Sequence, residues 1–289
     1  MSKSTRRNLR KRKRRIETRL RDRDGCDQSR PMFGAPNVHY EIAEKTRGFG
    51  VGGIGAIHEL ARSTGLVKAI DEALRLLKIH VPYHESDHVL NIAYNTLAGG
   101  RCLEDLERLR NDEVYMDALG SQRIPDPTTA GDFCRRFKAH HVEALMDAIN
   151  EVRLRVWAQQ PLSFFEQAVI EADGTYVEST GECKRGMDFN RHGEFSYHPL
   201  LVSLANTQEP LYLVNRSGNR NSHEGATERY DQAIRLCRRA GFKEITLRGD
   251  TAFSQSEHLD RWDDEGVRFV LFSQELLDVF AGALESACG

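Results

Sequence analysis

The sequence predicts an α + α/β protein, a helical N-terminal domain followed by an α/β domain. Three observations predict it. From Ile54 to Trp157 apolar residues recur at the 3.6-residue period of helices. After Pro161 the period falls to 2, that of strands. Strands and helices then follow one another in a fixed order. The expected organisation is a basic, disordered or loosely helical tail over residues 1–47, a helical domain over 48–160 and an α/β domain over 161–289.

The tail is defined by charge. Residues 1–23 hold twelve Lys or Arg against Glu17 and Asp22, a net +10, so the other 266 residues carry −12 of the formal −2. A mildly acidic body with a basic tail points to a polyanionic partner for the tail and not for the whole surface. Arg12, Arg14 and Arg15 lie in its densest stretch and are candidate nucleic-acid contacts. Up to residue 47, Gly25, Pro31, Gly34 and Pro36 break any pattern. Gly48-Phe49-Gly50-Val51-Gly52-Gly53 has the spacing of a dinucleotide fingerprint, but no strand precedes it. It reads as a flexible lead into a helix.

Composition narrows the class. Hydrophobic residues at 39% and charged residues at 29% are ordinary for a soluble globular chain. No apolar run approaches the length needed to cross a bilayer, and the N-terminus lacks the apolar core of a secretory signal. Six cysteines, at 26, 102, 134, 183, 237 and 288, form no C-x-x-C pair. That excludes a zinc knuckle and suits free thiols in a reducing cytoplasm.

The helical elements follow in order. Leu66, Val67, Ile70, Ala73, Leu74 and Leu77 share one helical face. Ser86 and Asp87 are candidate caps of a helix whose stripe is Leu90, Ala93, Tyr94 and Leu97, and Gly99-Gly100 stops it. Leu103, Leu106 and Leu109 mark a short amphipathic helix. Pro125 and Pro127 break the chain, and Thr128 or Thr129 caps a helix carrying Phe133 and Phe137 beside Arg135, Arg136 and Lys138. This helix reads either as a major-groove helix, with Arg135 and Arg136 on DNA, or as a core helix with a solvated basic edge. Val142, Leu145, Met146, Ile149, Val152 and Val156 form a last stripe.

Strands are expected at Val169–Asp173, Glu194–Leu204 and Pro210–Asn215, with a turn at Asn206–Glu209. A helix at Thr227–Ala240 ends at Gly241. A strand at Ile245–Arg248 ends at Gly249-Asp250. A helix at Glu257–Glu265 and a strand at Val267–Phe272 complete the order. Three strands, then helix, strand, helix, strand, is the order of an RNase H-like core.

In that topology the first and fourth strands are parallel neighbours, so Asp173 and Asp250 meet at adjacent carboxyl ends, where open α/β sheets place ligand sites. Two close carboxylates repel unless cations sit between them. Mg²⁺ prefers oxygen ligands, and two such ions about 3.5–4 Å apart activate water and stabilise a leaving oxygen. Gly174 and Gly249 would leave room for a phosphate. The bland alternative is a pair of turn aspartates. Glu171 shares a strand side with Asp173 and is either an outer ligand through water or an exposed strand residue. Arg248 either contacts a phosphate or balances Asp250. Asn219, Asn221 and His223 precede a helix N-terminus, as a phosphate site or as a capping loop. His192 and His198 lack a His or Cys partner at metal spacing.

Several segments carry a resemblance. Glu171-Ala172-Asp173-Gly174-Thr175, Tyr197-His198-Pro199-Leu200-Leu201-Val202, Gly218-Asn219 and Arg248-Gly249-Asp250-Thr251-Ala252-Phe253-Ser254 stand in order. Together they resemble the DDE transposases of bacterial insertion sequences, in the branch called DDE domain group 1 (insertion-sequence family thirteen-eighty). Leu97-Ala98-Gly99-Gly100-Arg101-Cys102-Leu103-Glu104-Asp105-Leu106 and Pro125-Asp126-Pro127-Thr128-Thr129 resemble that family's helical front half. The likeness runs from about Gly52 to Phe272.

The resemblance implies DNA cleavage and strand transfer at transposon ends by a cytoplasmic, nucleoid-associated bacterial protein. Asp173 and Asp250 would be the first two acids of the triad and ligands of Mg²⁺ (or Mn²⁺). The partners would be double-stranded DNA, transposon ends and target, with a homo-oligomer compatible and no membrane. Residues 48–160 would be the DNA-binding domain. Family members continue to a Glu near a Tyr-Arg-Glu-Lys signature that does not occur in this sequence. The expectation is therefore a C-terminally truncated RNase H-like domain, inactive for lack of a third acid. Glu275 and Glu285 follow the last strand, and Glu285 stands 35 positions after Asp250, the spacing of DDE enzymes without an insertion. The alternatives are a non-catalytic DNA-binding fragment and a compact metal nuclease that uses Glu285.

Overall fold

The computed structural model describes residues 3–21, 33, 51–78, 82–179, 184–250, 253 and 256–272. The chain divides into two compact units, Met1–Arg155 and Val156–Gly289.

The described elements of the first unit are helical. They are α1 (Lys3–Arg21), α2 (Ile54–Ser63), α3 (Leu66–Ala73), α4 (Glu85–Leu97), α5 (Leu106–Leu109), α6 (Glu113–Ala118), α7 (Pro127–Cys134) and α8 (Ala139–Trp157), the last running into the second unit. The basic run of the tail is thus a helix, and residues 22–32 and 34–50 lie outside the described residues. The core gathers Ile70, Leu74, Leu90, Tyr94, Leu106, Tyr115, Met116 and Phe133. Each such buried side chain contributes about 1.5–3 kcal/mol by leaving water.

Three of the helices differ in detail from the sequence reading. The helix α3 ends at Ala73, and Leu74 is already extended, so Leu74 enters the core from a loop. His84, not Ser86 or Asp87, is the N-cap of α4. Asp87 is the third helical residue, and its carboxylate accepts the His84 N–H at 2.8 Å and the Phe33 N–H at 2.9 Å. Ala93 and Leu97 face solvent, while Asn91 and Asn95 are buried beside Leu90 and Tyr94. The cap of α7 is Asp126, which accepts the Thr129 N–H at 2.9 Å with Pro127 at the first turn. Phe137 lies beyond that helix.

The second unit is built on a mixed sheet. Its elements are β1 (Gln167–Gly174), β2 (Val177–Glu178), β3 (Asp188–Phe189), β4 (Phe195–Tyr197), β5 (Leu200–Leu204), β6 (Glu209–Val214), α9 (Ala226–Ala240), β7 (Glu244–Asp250), α10 (Ser256–Asp264) and β8 (Val267–Phe272). The main sheet has the order β6-β5-β1-β7-β8. β5 pairs antiparallel with both β1 and β6, and β7 is parallel to β1 and β8. The first and fourth strands of the sequence reading are the parallel neighbours it required.

The stretch Glu194–Leu204, expected as one strand, is two. β4 joins a second sheet of order β2-β4-β3, and β5 enters the main sheet. The break falls at His198-Pro199. Pro199 has no N–H for a ladder, and the His198 N–H turns to the Arg216 carbonyl at 2.8 Å.

The main sheet has two unlike faces. A Cβ built on Gly249 would lie 3.1 Å from the Tyr230 hydroxyl of α9. The side carrying Gly249, Ile170, Ala172 and Leu247 is therefore the one α9 covers, and alternation sends Glu171, Asp173, Arg248 and Asp250 to the other. α10 shares the α9 side. Asp231 of α9 accepts the Trp262 indole N–H at 2.8 Å and the Arg261 guanidinium at 3.0 Å. Gly241 ends α9 with φ 98°, a conformation that costs residues with a Cβ.

Candidate active site

Asp173 and Asp250 meet by register. Glu171 of β1 pairs with Arg248 of β7 in the parallel ladder, 77 positions apart. The same offset two residues on sets Asp173 beside Asp250. Both, with Glu171, Ala172, Arg248 and Gly249, line one open concavity of about 350 Å³. Both aspartates are exposed. The Asp173 Oδ1 accepts the Gly174 N–H at 2.8 Å, which fixes that carboxylate at the strand end.

The neighbouring charges sort themselves. Arg248 donates from Nε to Glu171 Oε1 at 3.2 Å and from Nη2 to Glu171 Oε2 at 2.8 Å. The Glu171 carboxylate raises the pKa of the guanidinium. Arg248 thus pairs with Glu171. Asp173 and Asp250 add two further carboxylates to the concavity, a donor set of hard oxygens. Two carboxylates suit a divalent ion such as Mg²⁺, which binds one or two of them and fills its shell with water and substrate oxygens. Among the described residues no group of three or more His, Cys, Asp and Glu is placed to hold a metal.

The two glycines do not leave room for phosphate as expected. A Cβ at Gly174 would stand 2.6 Å from the Nε2 of His198, and one at Gly249 would meet Phe253 and Tyr230 at 3.1 Å. Both are small because protein groups press on them from behind the site. His198 is buried at 2% exposure, its Nδ1 lies 2.8 Å from the Arg220 carbonyl, and its ring stacks on Tyr176 at 4.3 Å. It wedges the strand end.

Asn219 is engaged in the loop before α9, where its amide donates to Asp188 at 2.7 Å. The residue that organises this loop was missed. Arg216 donates to the carbonyls of His198, Asn221, Ser222 and Glu224 at 2.6–3.1 Å. Burial lowers its pKa. Its Nη2 is buried without a partner and would lie 3.3 Å from a Cβ on Gly174. A lone Arg before Ser217-Gly218-Asn219 gives no sequence signal for such a staple.

The candidate DNA contacts of the first unit divide. Arg12 pairs with Asp112 at 3.6 Å and Arg15 with Glu113 at 3.3 Å, while Arg14 is exposed. Arg135 pairs with Asp132 at 2.5 Å, and Arg136 reaches the Leu76 carbonyl at 3.3 Å; both remain exposed. Phe133 is core, stacked on His88 at 4.3 Å. His192 sits by Arg191 at 3.3 Å. Glu275 and Glu285 lie outside the described residues. Cys102, Cys134 and Cys237 are free thiols. No helix of the described residues is long and apolar enough to cross a membrane.

The described residues thus form a mixed sheet with two acids at the ends of adjacent parallel strands. The family model for the transposase DDE domain group 1 matches residues 50–275, and the chain belongs to that family. Domains of this family generally use divalent metal ions. No curated protein matches the chain. Among solved structures, the Mos1 transposase paired-end complex with left transposon end is 9% identical, with a TM-score of 0.26, over 63% of this chain and 57% of that one. The chain thus spans under two thirds of that structure's length.

Proposed function

We propose that this chain is the transposase of a bacterial insertion sequence of the thirteen-eighty family, acting by metal-dependent DNA cleavage and strand transfer at transposon ends. The meeting of Asp173 and Asp250 in one concavity supports this reading most directly. These two acids would hold Mg²⁺ or Mn²⁺. Bound there, divalent ions lower the pKa of an attacking water and stabilise the leaving 3′ oxygen. The protein's own residues do the positioning. Gly174 N–H fixes the Asp173 carboxylate, the Glu171–Arg248 pair borders the acids, and Arg216 ties the neighbouring loop. DNA ends and target are the partners, in the cytoplasm at the nucleoid, with assembly into a homo-oligomer.

Mn²⁺ at ten times its dissociation constant should stabilise the wild type by about 1.4 kcal/mol, a rise in Tm of about 2–4 °C. Asp173→Asn and Asp250→Asn should each abolish the rise while leaving the metal-free Tm near wild type. A full Mn²⁺ response in both variants would sink the assignment.

A second reading, a DNA-binding protein without catalysis, is supported by the eleven Lys or Arg of α1. Nicking of duplex DNA with Mg²⁺ separates the two. Nicking lost in Glu285→Gln but kept in Glu275→Gln would make Glu285 the third acid of a compact nuclease. Binding without nicking favours the second reading.

A further inference from the structure

We propose that α1 is a docked cationic blade, anchored to the helical unit along one face and presenting Arg7, Arg10, Lys11 and Arg14 on the other to the phosphates of duplex DNA. The inference rests on the DNA-partner reading above and adds which cations bind and which hold the helix in place.

The helix spans nineteen residues and has one acid, Glu17, against eleven Lys or Arg. A polar helix of such one-sided charge repels itself and gains little from its own backbone. Something outside must hold it. Ile16 is 7% exposed and belongs to the core cluster that includes Tyr115 and Met116. Leu9 is half-buried. Leu9, Arg12 and Ile16 fall on one face by their spacing of three and four. Beside them Arg12 meets Asp112 and Arg15 meets Glu113. Asp112 is itself fixed, since it caps α6 by accepting the Val114 and Tyr115 N–H groups at 3.0 and 3.3 Å. The acids at the start of α6 therefore form a rigid cradle for two of the eleven cations.

Arg7, Arg10, Lys11 and Arg14 are spaced by three, one and three, which puts them together on the opposite face, all exposed. From Arg7 to Arg14 the helix rises about 10 Å. One DNA strand presents a phosphate per about 3.4 Å of axis, so this stripe matches about three phosphates. The complementarity is of charge and of length. A helix already held in place loses less freedom on binding than a free tail would.

The test uses the full chain and a fluorescent random-sequence duplex. Replacing Arg7, Arg10, Lys11 and Arg14 together by Ala should flatten the slope of log affinity against log salt by about 3. Ile16→Gln keeps every cation but unseats the anchor. It should weaken DNA binding several-fold and speed trypsin cleavage within residues 6–15 in the absence of DNA. Glu113→Lys, which leaves the core intact, should do the same in smaller measure. Trypsin protection of wild-type α1 without any duplex binding would overturn the DNA reading while leaving the docking. Wild-type cleavage as fast as Ile16→Gln, or equal affinity in all three, would overturn the docked blade.

Discussion

His88 makes the helical unit sensitive to acid. It is 3% exposed, lies flat on Phe133 and meets Tyr83 edge-on. Burial lowers its pKa to about 4, Arg136 adds to the lowering and Glu85 opposes it. In the unfolded chain a histidine titrates near 6.5. Because the folded value is the lower one, the unfolded state takes up the proton first. Stability is therefore complete above about pH 6.5 and is lost as the pH falls from there toward 4. At pH 5 the loss from this group alone comes to about 2 kcal/mol by linkage. His88→Phe keeps the stack on Phe133 and has nothing to protonate. Urea unfolding followed by far-UV circular dichroism at pH 8 and pH 5 measures both proteins. The wild type should lose about 2 kcal/mol more than the variant between the two pH values, since the other histidines cancel in the difference. Equal losses would refute the assignment of a buried neutral His88.

Gly174→Ala places a methyl 2.6 Å from a His198 ring that Tyr176 and the Arg220 carbonyl hold in place. It should cost about 1–3 kcal/mol and weaken the Mn²⁺-induced rise in Tm, because the strand end carrying Asp173 must shift; an unchanged Mn²⁺ response would show that the end is not so constrained. Glu85 is 1% exposed and accepts the Leu76 and Leu77 N–H groups at 3.0 Å each. Glu85→Ala should lower stability by about 2–4 kcal/mol by orphaning both amides, and Glu85→Gln, which keeps an acceptor oxygen, by less than half of that. Urea midpoints that rank the two variants equally would remove the hydrogen bonds from the explanation.

The sequence by itself determined most local elements and placed Asp173 and Asp250 at strand ends. The stop at Gly241 and the strand Val267–Phe272 depend on neighbours within a turn or a pleat, and they stand in the structure where the pattern put them. Asp173 and Asp250 were legible because each closes a strand, and the order of elements made those strands neighbours. Only the tertiary structure decided what surrounds them. Arg248 grips Glu171 across 77 positions, and Arg15 meets Glu113 across 98. His198 presses on Gly174 from behind, and Arg216 gathers the His198 carbonyl and three carbonyls of the loop before α9. The diversion of β4 into a second sheet and the docked face of α1 are decisions of the same kind. Local patterns fix the backbone through contacts a few residues away. Which charge meets which, and which small residue is hemmed in, depends on groups that are distant in sequence and become neighbours only once the chain has folded.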